Sequence, residues 1–213
     1  MRSAIVLCAG GPARRELPTM PVDALVIAAD SGVTEAERRG LRVDLLVGDL
    51  DSADPAAVER VRVAGGAIER HPVDKDASDL ELALEAAAAR HVGAVLVVGG
   101  DGGRLDHLLG NAFLLAFSRF AGMRIDAVLG EALVHVVRGD RSLTGSPQEV
   151  ISLFAVGGPA TGVTTRGLRW ALDDDEILPG STRGLSNAFT EDRAAIQVRN
   201  GVVIAIRPGV EAL

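Results

Sequence analysis

Up to about Gly130, short apolar runs alternate with segments of helical periodicity. The pattern predicts strands at Ala4–Cys8, Leu25–Ala29, Leu45–Val47, Ala67–Arg70, Ala94–Val98 and Ile125–Leu129. Helices are predicted at Val33–Arg39, Pro55–Ala64, Asp79–Arg90 and Asp106–Phe120. The strand segments are continuous apolar runs, as expected of strands buried on both faces. Their alternation with helices predicts an α/β fold, a mostly parallel sheet with helices on both faces. Two helix starts are signalled locally. Asp54 precedes Pro55, the order of an N-cap followed by a first-turn proline, and Ser78 precedes the run carrying Leu80, Leu82, Ala83, Leu84 and Ala87.

After about Gly139 the periodicity changes. Glu149–Val156, Ala160–Thr165, Arg193–Val198 and Val202–Arg207 read as short strands separated by Gly, Asn and Pro turns, and Asn200-Gly201 is a hairpin signal. The division predicts two domains, an α/β domain over 1–139 and a smaller antiparallel, sandwich-like β domain over 140–213, with Leu133–Arg138 carrying the chain across.

Composition narrows the function classes. No apolar run approaches the roughly 20 residues of a membrane helix, and the apolar stretch at Met1–Cys8 is too short for a signal peptide. The lone cysteine, Cys8, excludes an internal disulfide and points by default to the cytoplasm. Acidic residues outnumber basic ones by 29 to 22, which argues against a nucleic-acid partner and suits a site that collects cations. Among those 22 basic residues only Lys75 is a lysine, so its compact ammonium stands apart from a background of arginines.

In an open parallel sheet, ligands bind beyond the carboxyl ends of the strands. Here four successive strand ends lead into Ala29-Asp30-Ser31-Gly32, Gly48-Asp49-Leu50-Asp51-Ser52, Val73-Asp74-Lys75-Asp76-Ala77-Ser78-Asp79 and Gly99-Gly100-Asp101-Gly102-Gly103-Arg104-Leu105-Asp106-His107. Singly, each Asp or Ser has an ordinary structural use as an N-cap or turn former. Together, Asp30, Asp49, Asp51, Asp76 and Asp79 on one edge would repel one another unless a divalent cation neutralised them. Hard carboxylate oxygens without a Cys or His cluster suit Mg²⁺, which commonly also takes nucleotide phosphates. The fifth-strand loop supplies close backbone approach through its glycines and a bidentate phosphate donor in Arg104, with Asp106 and His107 in the first turn of the next helix. Neither the P-loop pattern nor a G-x-G-x-x-G after the first strand is present.

Taken together these segments resemble the thiamine pyrophosphokinase family. The resemblance lies in Ala29-Asp30-Ser31-Gly32, Gly48–Ser52, Lys75–Asp79 leading into Glu81-Leu82-Ala83-Leu84, and Gly102–His107 with Asn111. In the second half it lies in Gly167-Leu168-Arg169-Trp170 and Gly184-Leu185-Ser186-Asn187. Ser78 stands where the family usually carries Thr and keeps the hydroxyl. The resemblance implies transfer of the pyrophosphoryl group of ATP to the hydroxyl of thiamine, releasing AMP. It implies Asp49, Asp51 and Asp79 as Mg²⁺ ligands with Asp30 close by, and Lys75 and Asp76 beside the reacting groups. Asp30, Ser31, Gly102, Gly103, Arg104, Asp106 and His107 would meet the nucleotide. A homodimer is also implied, in which Trp170, Ser186 and Asn187 of one subunit contact thiamine in the other's site. On composition alone Trp170 reads as a β-domain core residue.

Three competing readings separate on particular residues. A phosphatase using Asp49-Leu50-Asp51 as a metal motif would place a nucleophilic Asp after the first strand, where Cys8-Ala9-Gly10 stands; a glycosyltransferase leaves Gly102–His107 unexplained. Against a non-catalytic nucleotide or thiamine sensor on the same fold stands the presence of Lys75 and every acidic position. A pyrophosphokinase for another alcohol, such as a hydroxymethylpterin, is disfavoured by Trp170 with Ser186-Asn187, by resemblance.

Overall fold

Six of the apolar runs form parallel strands in the computed structural model, which describes residues 1–10 and 16–209. The Gly10–Pro21 loop, to which no motif could be assigned, lies partly outside the described residues. The chain divides into two compact units, Met1–Leu114 with Gly122–Gly130, and Leu115–Ala121 with Glu131–Leu213.

In the first unit β1 (Ser3–Leu7), β2 (Leu25–Ala29), β3 (Leu45–Gly48), β4 (Ala67–Arg70), β5 (Ala94–Val98) and β6 (Arg124–Leu129) lie in the order β6-β5-β1-β2-β3-β4. All neighbours in this set pair in parallel. Every residue of β3 and β5 is buried, as are the last four of β1 and β2. Side chains alternate across a strand, so unbroken burial requires cover on both faces. Helices α1 (Gly32–Arg38), α2 (Pro55–Val63), α3 (Asp79–Ala89) and α4 (Leu105–Leu115) intervene between the strands. The two N-caps read from the sequence are formed. Asp54 accepts the Ala56 N–H at 3.0 Å, and Ser78 accepts the Glu81 N–H at 3.2 Å.

The predicted helix Asp106–Phe120 is shorter than expected. It ends at Leu115, Phe117 adopts extended backbone, and Ser118–Phe120 forms one 3₁₀ turn. Two features stabilise the break. The Arg138 guanidinium takes the freed carbonyls of Ala116 and Phe117 at 2.6 and 3.0 Å, and Phe120 is buried edge-to-face against Phe117.

The second unit holds β7 (Ala132–Val137), β8 (Asp140–Thr144), β9 (Val150–Ala155), β10 (Ala160–Arg166), β11 (Asp175–Ile177), β12 (Asn187–Ala188), β13 (Arg193–Gln197) and β14 (Val203–Arg207). Antiparallel pairs link them in the orders β12-β9-β14-β7 and β11-β10-β13-β8. Val137, Ile151, Leu153 and Val203 from the first set share one buried cluster with Leu143, Val163, Ile177 and Ile196 from the second. The Asn200-Gly201 hairpin expectation is overturned. The strands on either side belong to different sheets, β13 between β10 and β8, β14 between β7 and β9. Burial explains the choice: β13 alternates buried and exposed positions, whereas β14 is apolar and almost wholly buried, fitting an interior strand. Asn200 instead bonds to the backbone of Thr161. Strand β8 escaped the sequence reading because only Leu143 of its five residues is buried. Among the described residues, no helix is long and apolar enough to cross a membrane.

Among the described residues of this unit, Arg207 and Glu149 form a charged pair that is largely withdrawn from water. Arg207 donates twice to Glu149, at 2.8 and 2.7 Å, with its guanidinium 5.4 Å from the centre of the Phe189 ring. The side chains are 9% and 17% exposed, so removing one partner strands the other charge away from water. We expect Glu149→Ala to lower stability by about 3–5 kcal/mol in chemical denaturation. A loss below about 1 kcal/mol, the range of an exposed pair, would contradict this account.

Candidate active site

Strand order in the first unit reverses between β1 and β5, which makes this edge the topological switch point. A cleft of about 760 Å³ opens beyond the strand ends there. Its lining comes from every nearby loop: Cys8, Ala9 and Gly10 after β1, Asp30 and Ser31 after β2, Asp51 and Ser52 after β3. Lys75, Ser78 and Asp79 follow from the segment after β4, and Gly100, Gly102, Gly103, His107 and Asn111 from the loop and helix after β5.

Local packing aims these loops. A Cβ on Gly32 would fall 2.0 Å from the Leu7 carbonyl oxygen, so α1 begins in direct backbone contact with β1. That tight start holds Asp30 and Ser31 at the cleft, with Asp30 in the left-handed region at φ 47°. Leu50 is also left-handed, at φ 64°, and is buried. Its side chain anchors the kink that lets the Asp51 N–H donate to Asp49 Oδ1 at 3.2 Å. Between β1 and β5 the Gly100 N–H donates to the Ala9 carbonyl at 2.7 Å. A Cβ on Gly102 would lie 2.9 Å from the Gly10 Cα, so the two loops touch through bare backbone. Asn111 Nδ2 ties the Gly-rich loop to α4 by donating to the Gly100 carbonyl at 2.9 Å.

Asp30, Asp49 and Asp51 each present a carboxylate oxygen within 4.8 Å of the other two. Lys75 lies against this group, with Nζ 2.5 Å from Asp49 Oδ2 and 3.1 Å from Asp79 Oδ1. Burial draws the Lys75 ammonium down, but its hydrogen bond to Asp49 and then its ion pair with Asp79 outweigh this and hold its pKa above the usual lysine value. The Asp49 carboxyl is held below its ordinary value, first by Lys75 and then by the Asp51 amide. Asp30 shifts the other way. Burial raises its carboxyl, the Ser31 amide opposes this, and the charges of Asp79, Asp49 and Asp51 add to the rise. Asp30 Oδ1 is buried without a hydrogen-bond partner. A buried, unpartnered carboxylate oxygen facing two further carboxylates, all hard donors, fits a divalent cation such as Mg²⁺. Cys8 is not a nucleophile here, because burial first and Asp79 second push its thiol up to about 12.

The remaining expected residues are distributed unevenly. His107 lines the cleft, whereas Arg104 and Asp106 pair with each other at 2.6 Å on an exposed surface outside its lining. Arg104 holds the Asp106 carboxyl down to about 2. Asp76 is exposed and does not line the cleft. Asn111 and Cys8–Gly10 line it, although the sequence reading gave them no site role; placing the order reversal at β1 and β5 would have identified the latter. In the second unit, Trp170 is 53% exposed and is not a core residue. The Arg169 guanidinium lies 5.0 Å from its ring centre. Asn187 is buried, and its amide is used on the Trp170 main chain: Oδ1 accepts the N–H at 3.0 Å and Nδ2 donates to the carbonyl at 2.8 Å. The Asn187 amide is thus engaged with the Trp170 main chain. Ser186 is exposed, at φ 56°, with its N–H bonded to Ser152 Oγ.

The opposite shifts of Asp30 and Asp49 give a test with a definite sign. A raised carboxyl binds protons more readily in the folded state, so Asp30 costs stability as pH rises past the ordinary carboxylate value. A lowered carboxyl contributes stability above that value and loses it as pH falls through the lowered one. At neutral pH and without metal, Asp30→Asn should therefore stabilise the protein by roughly 1 kcal/mol or more, while Asp49→Asn should destabilise it. Thermal melts of both variants measure this; shifts of the same sign would contradict the assignment.

Comparison with known proteins follows the same division of the chain. Residues 20–127 match the family model for the thiamin pyrophosphokinase catalytic domain, and residues 135–203 that for the thiamin pyrophosphokinase vitamin B1 binding domain. The chain is 29% identical over 209 residues to thiamine pyrophosphokinase 1 of Oryza sativa subsp. japonica, covering 92% of this chain and 75% of that one. It is 26% identical to thiamine pyrophosphokinase of Bacillus subtilis, covering 95% and 97%. Its fold matches the crystal structure of the Bacillus subtilis thiamine pyrophosphokinase with a TM-score of 0.82 across all of both chains, at 23% identity. The thiamin pyrophosphokinase structure from Geobacillus thermodenitrificans superposes with a TM-score of 0.77 over 97% of each chain, at 26% identity. With both family models matched in order along the sequence, this chain belongs to the thiamin pyrophosphokinase family.

Proposed function

We propose that this chain is a thiamine pyrophosphokinase that transfers the pyrophosphoryl group of ATP to the hydroxyl of thiamine, releasing AMP. One observation supports the reading: Asp30, Asp49 and Asp51 gather beside Lys75, and Asp30, Asp51 and Lys75 line the same cleft as Gly100, Gly102 and Gly103. The hydroxyl oxygen attacks the β-phosphorus of ATP, and the bond from that phosphorus to the α–β bridging oxygen breaks. The bridging oxygen leaves on AMP, and the hydroxyl proton passes to a carboxylate of the cleft.

Asp49 and Asp51, with Asp30 as the third carboxylate, would hold Mg²⁺, and Asp79 adjoins them across Lys75. Bound there, Mg²⁺ supplies charge neutralisation for the phosphates and orients them. The ammonium of Lys75 meets the transferring phosphates, and the backbone of Gly100–Gly103 approaches the nucleotide closely. His107 and Ser31 add polar contacts within the cleft, while Asp76, Arg104 and Asp106 form its outer contacts. Thiamine is cationic, and the acidic edge suits it as well as the metal.

The exposed indole of Trp170 supports stacking on the flat aminopyrimidine of thiamine, with Ser186 beside it. We further propose a homodimer in which these residues serve the neighbouring subunit's cleft. Leu105, Leu109 and Phe113 of α4, each 46–68% exposed, form an apolar row at four-residue spacing that favours self-association. A cytoplasmic setting, where ATP is supplied, completes the reading.

Incubation with ATP, Mg²⁺ and thiamine should yield thiamine diphosphate and AMP in equal amounts, measured by chromatography. Release of ADP or orthophosphate would refute the transfer. Asp51→Asn should lose several kcal/mol of transition-state stabilisation, about 100-fold or more in kcat/KM, with an unchanged circular dichroism spectrum. Trp170→Ala should raise KM for thiamine more than KM for ATP, and equal increases would contradict stacking.

A further inference from the structure

Asp49 belongs to two arrangements at once. Its carboxylate is part of the cluster with Asp30 and Asp51, yet Oδ2 holds Lys75 Nζ and Oδ1 accepts the Asp51 amide. Lys75 also contacts Asp79, so one ammonium is shared by two carboxylates, and its side chain is only 13% exposed. A metal ion approaching Asp49 therefore meets an oxygen that already holds a cation. Asp30 Oδ1, in the same cluster, is buried without a hydrogen-bond partner.

We propose that Lys75 is an exchangeable internal counter-ion for the cluster: it holds Asp49 and Asp79 in the metal-free protein and is released into the cleft when a divalent cation takes Asp49. This rests on the reading of the cluster as a Mg²⁺ site and gives it an order of events. Occupation of Asp49 by metal and by lysine is mutually exclusive, so each weakens the other by the same factor. Metal arrival both neutralises the carboxylates and frees the ammonium that meets the phosphates. Before then, Lys75 keeps the acidic edge from repelling itself apart. Arg in its place would present a planar fork instead of a compact charge, a poor fit to two carboxylates on one small ammonium.

Lys75 is the sole lysine of the chain, so nitrogen-15 lysine labelling gives a single side-chain ammonium signal. In the metal-free protein that signal should be sharp, with slow proton exchange. Titration with Mg²⁺ alone should broaden it through faster exchange with water, with a midpoint equal to the Kd measured by calorimetry. Lys75→Met should bind Mn²⁺, followed by electron paramagnetic resonance, about 10-fold more tightly than the wild type in the absence of nucleotide. Metal binding that leaves the lysine exchange slow, or an unchanged Mn²⁺ affinity in Lys75→Met, overturns the proposal while leaving the proposed reaction standing. Absence of metal binding in both proteins, with and without ATP, overturns the metal site itself and the proposal with it.

Discussion

The structure of the first unit is organised around a charge imbalance. Four carboxylates, Asp30, Asp49, Asp51 and Asp79, line one edge of the sheet, and the ammonium of Lys75 contacts two of them. The two halves of this group are held differently. Asp49 and Asp79 lie against the lysine, although Asp79 Oδ1 accepts no hydrogen bond, whereas Asp30 has a buried oxygen without a partner and its carboxyl is raised. An arrangement of this kind costs stability and persists where binding restores the balance. A divalent cation would do so directly.

The rest of the unit keeps those groups at that edge. Parallel strands buried on both faces leave their carboxyl ends as the open surface, and the order reversal at β1 and β5 parts the loops into a cleft. Glycine permits the backbone contacts that bring the loops together, at Gly32 against β1 and at Gly102 against Gly10. The N-cap at Ser78 fixes where α3 begins and so sets Asp79 in its first turn, four residues after Lys75. In the second unit, the Asn187 amide locks the main chain of Trp170 and leaves the indole exposed. An exposed tryptophan on a rigid loop is suited to a flat partner.

Much of the first unit was legible in the chain because its signals are local. Continuous apolar runs marked β1, β2, β3 and β5, and Asp54 and Ser78 marked two helix starts that the structure shows capped. What escaped depends on contacts between distant residues. The early end of α4 is stabilised by Arg138, more than 20 residues away, and Asn200-Gly201 connects two sheets because β14 is too apolar to accept an edge beside β13. The acidic loops were evident as a set, but their pairing was not. Spacing could not reveal that Lys75 bridges Asp49 and Asp79, that Asp76 stands apart from the cluster, or that Arg104 turns to Asp106 on an exposed surface. Trp170 looked like core on composition, yet its indole is exposed while the buried Asn187 amide holds its main chain.

The central claim is that Asp30, Asp49 and Asp51 form one cation site at the nucleotide cleft. A crystal grown with Mn²⁺ and a non-transferable ATP analogue, methylene-bridged between the α- and β-phosphates, tests it most directly. The account predicts an anomalous peak among these three carboxylates, bridged to the analogue's phosphates, with Lys75 withdrawn from Asp49 and turned to the phosphates. A Mn²⁺ peak elsewhere, with the nucleotide bound away from the β1–β5 edge, would contradict it.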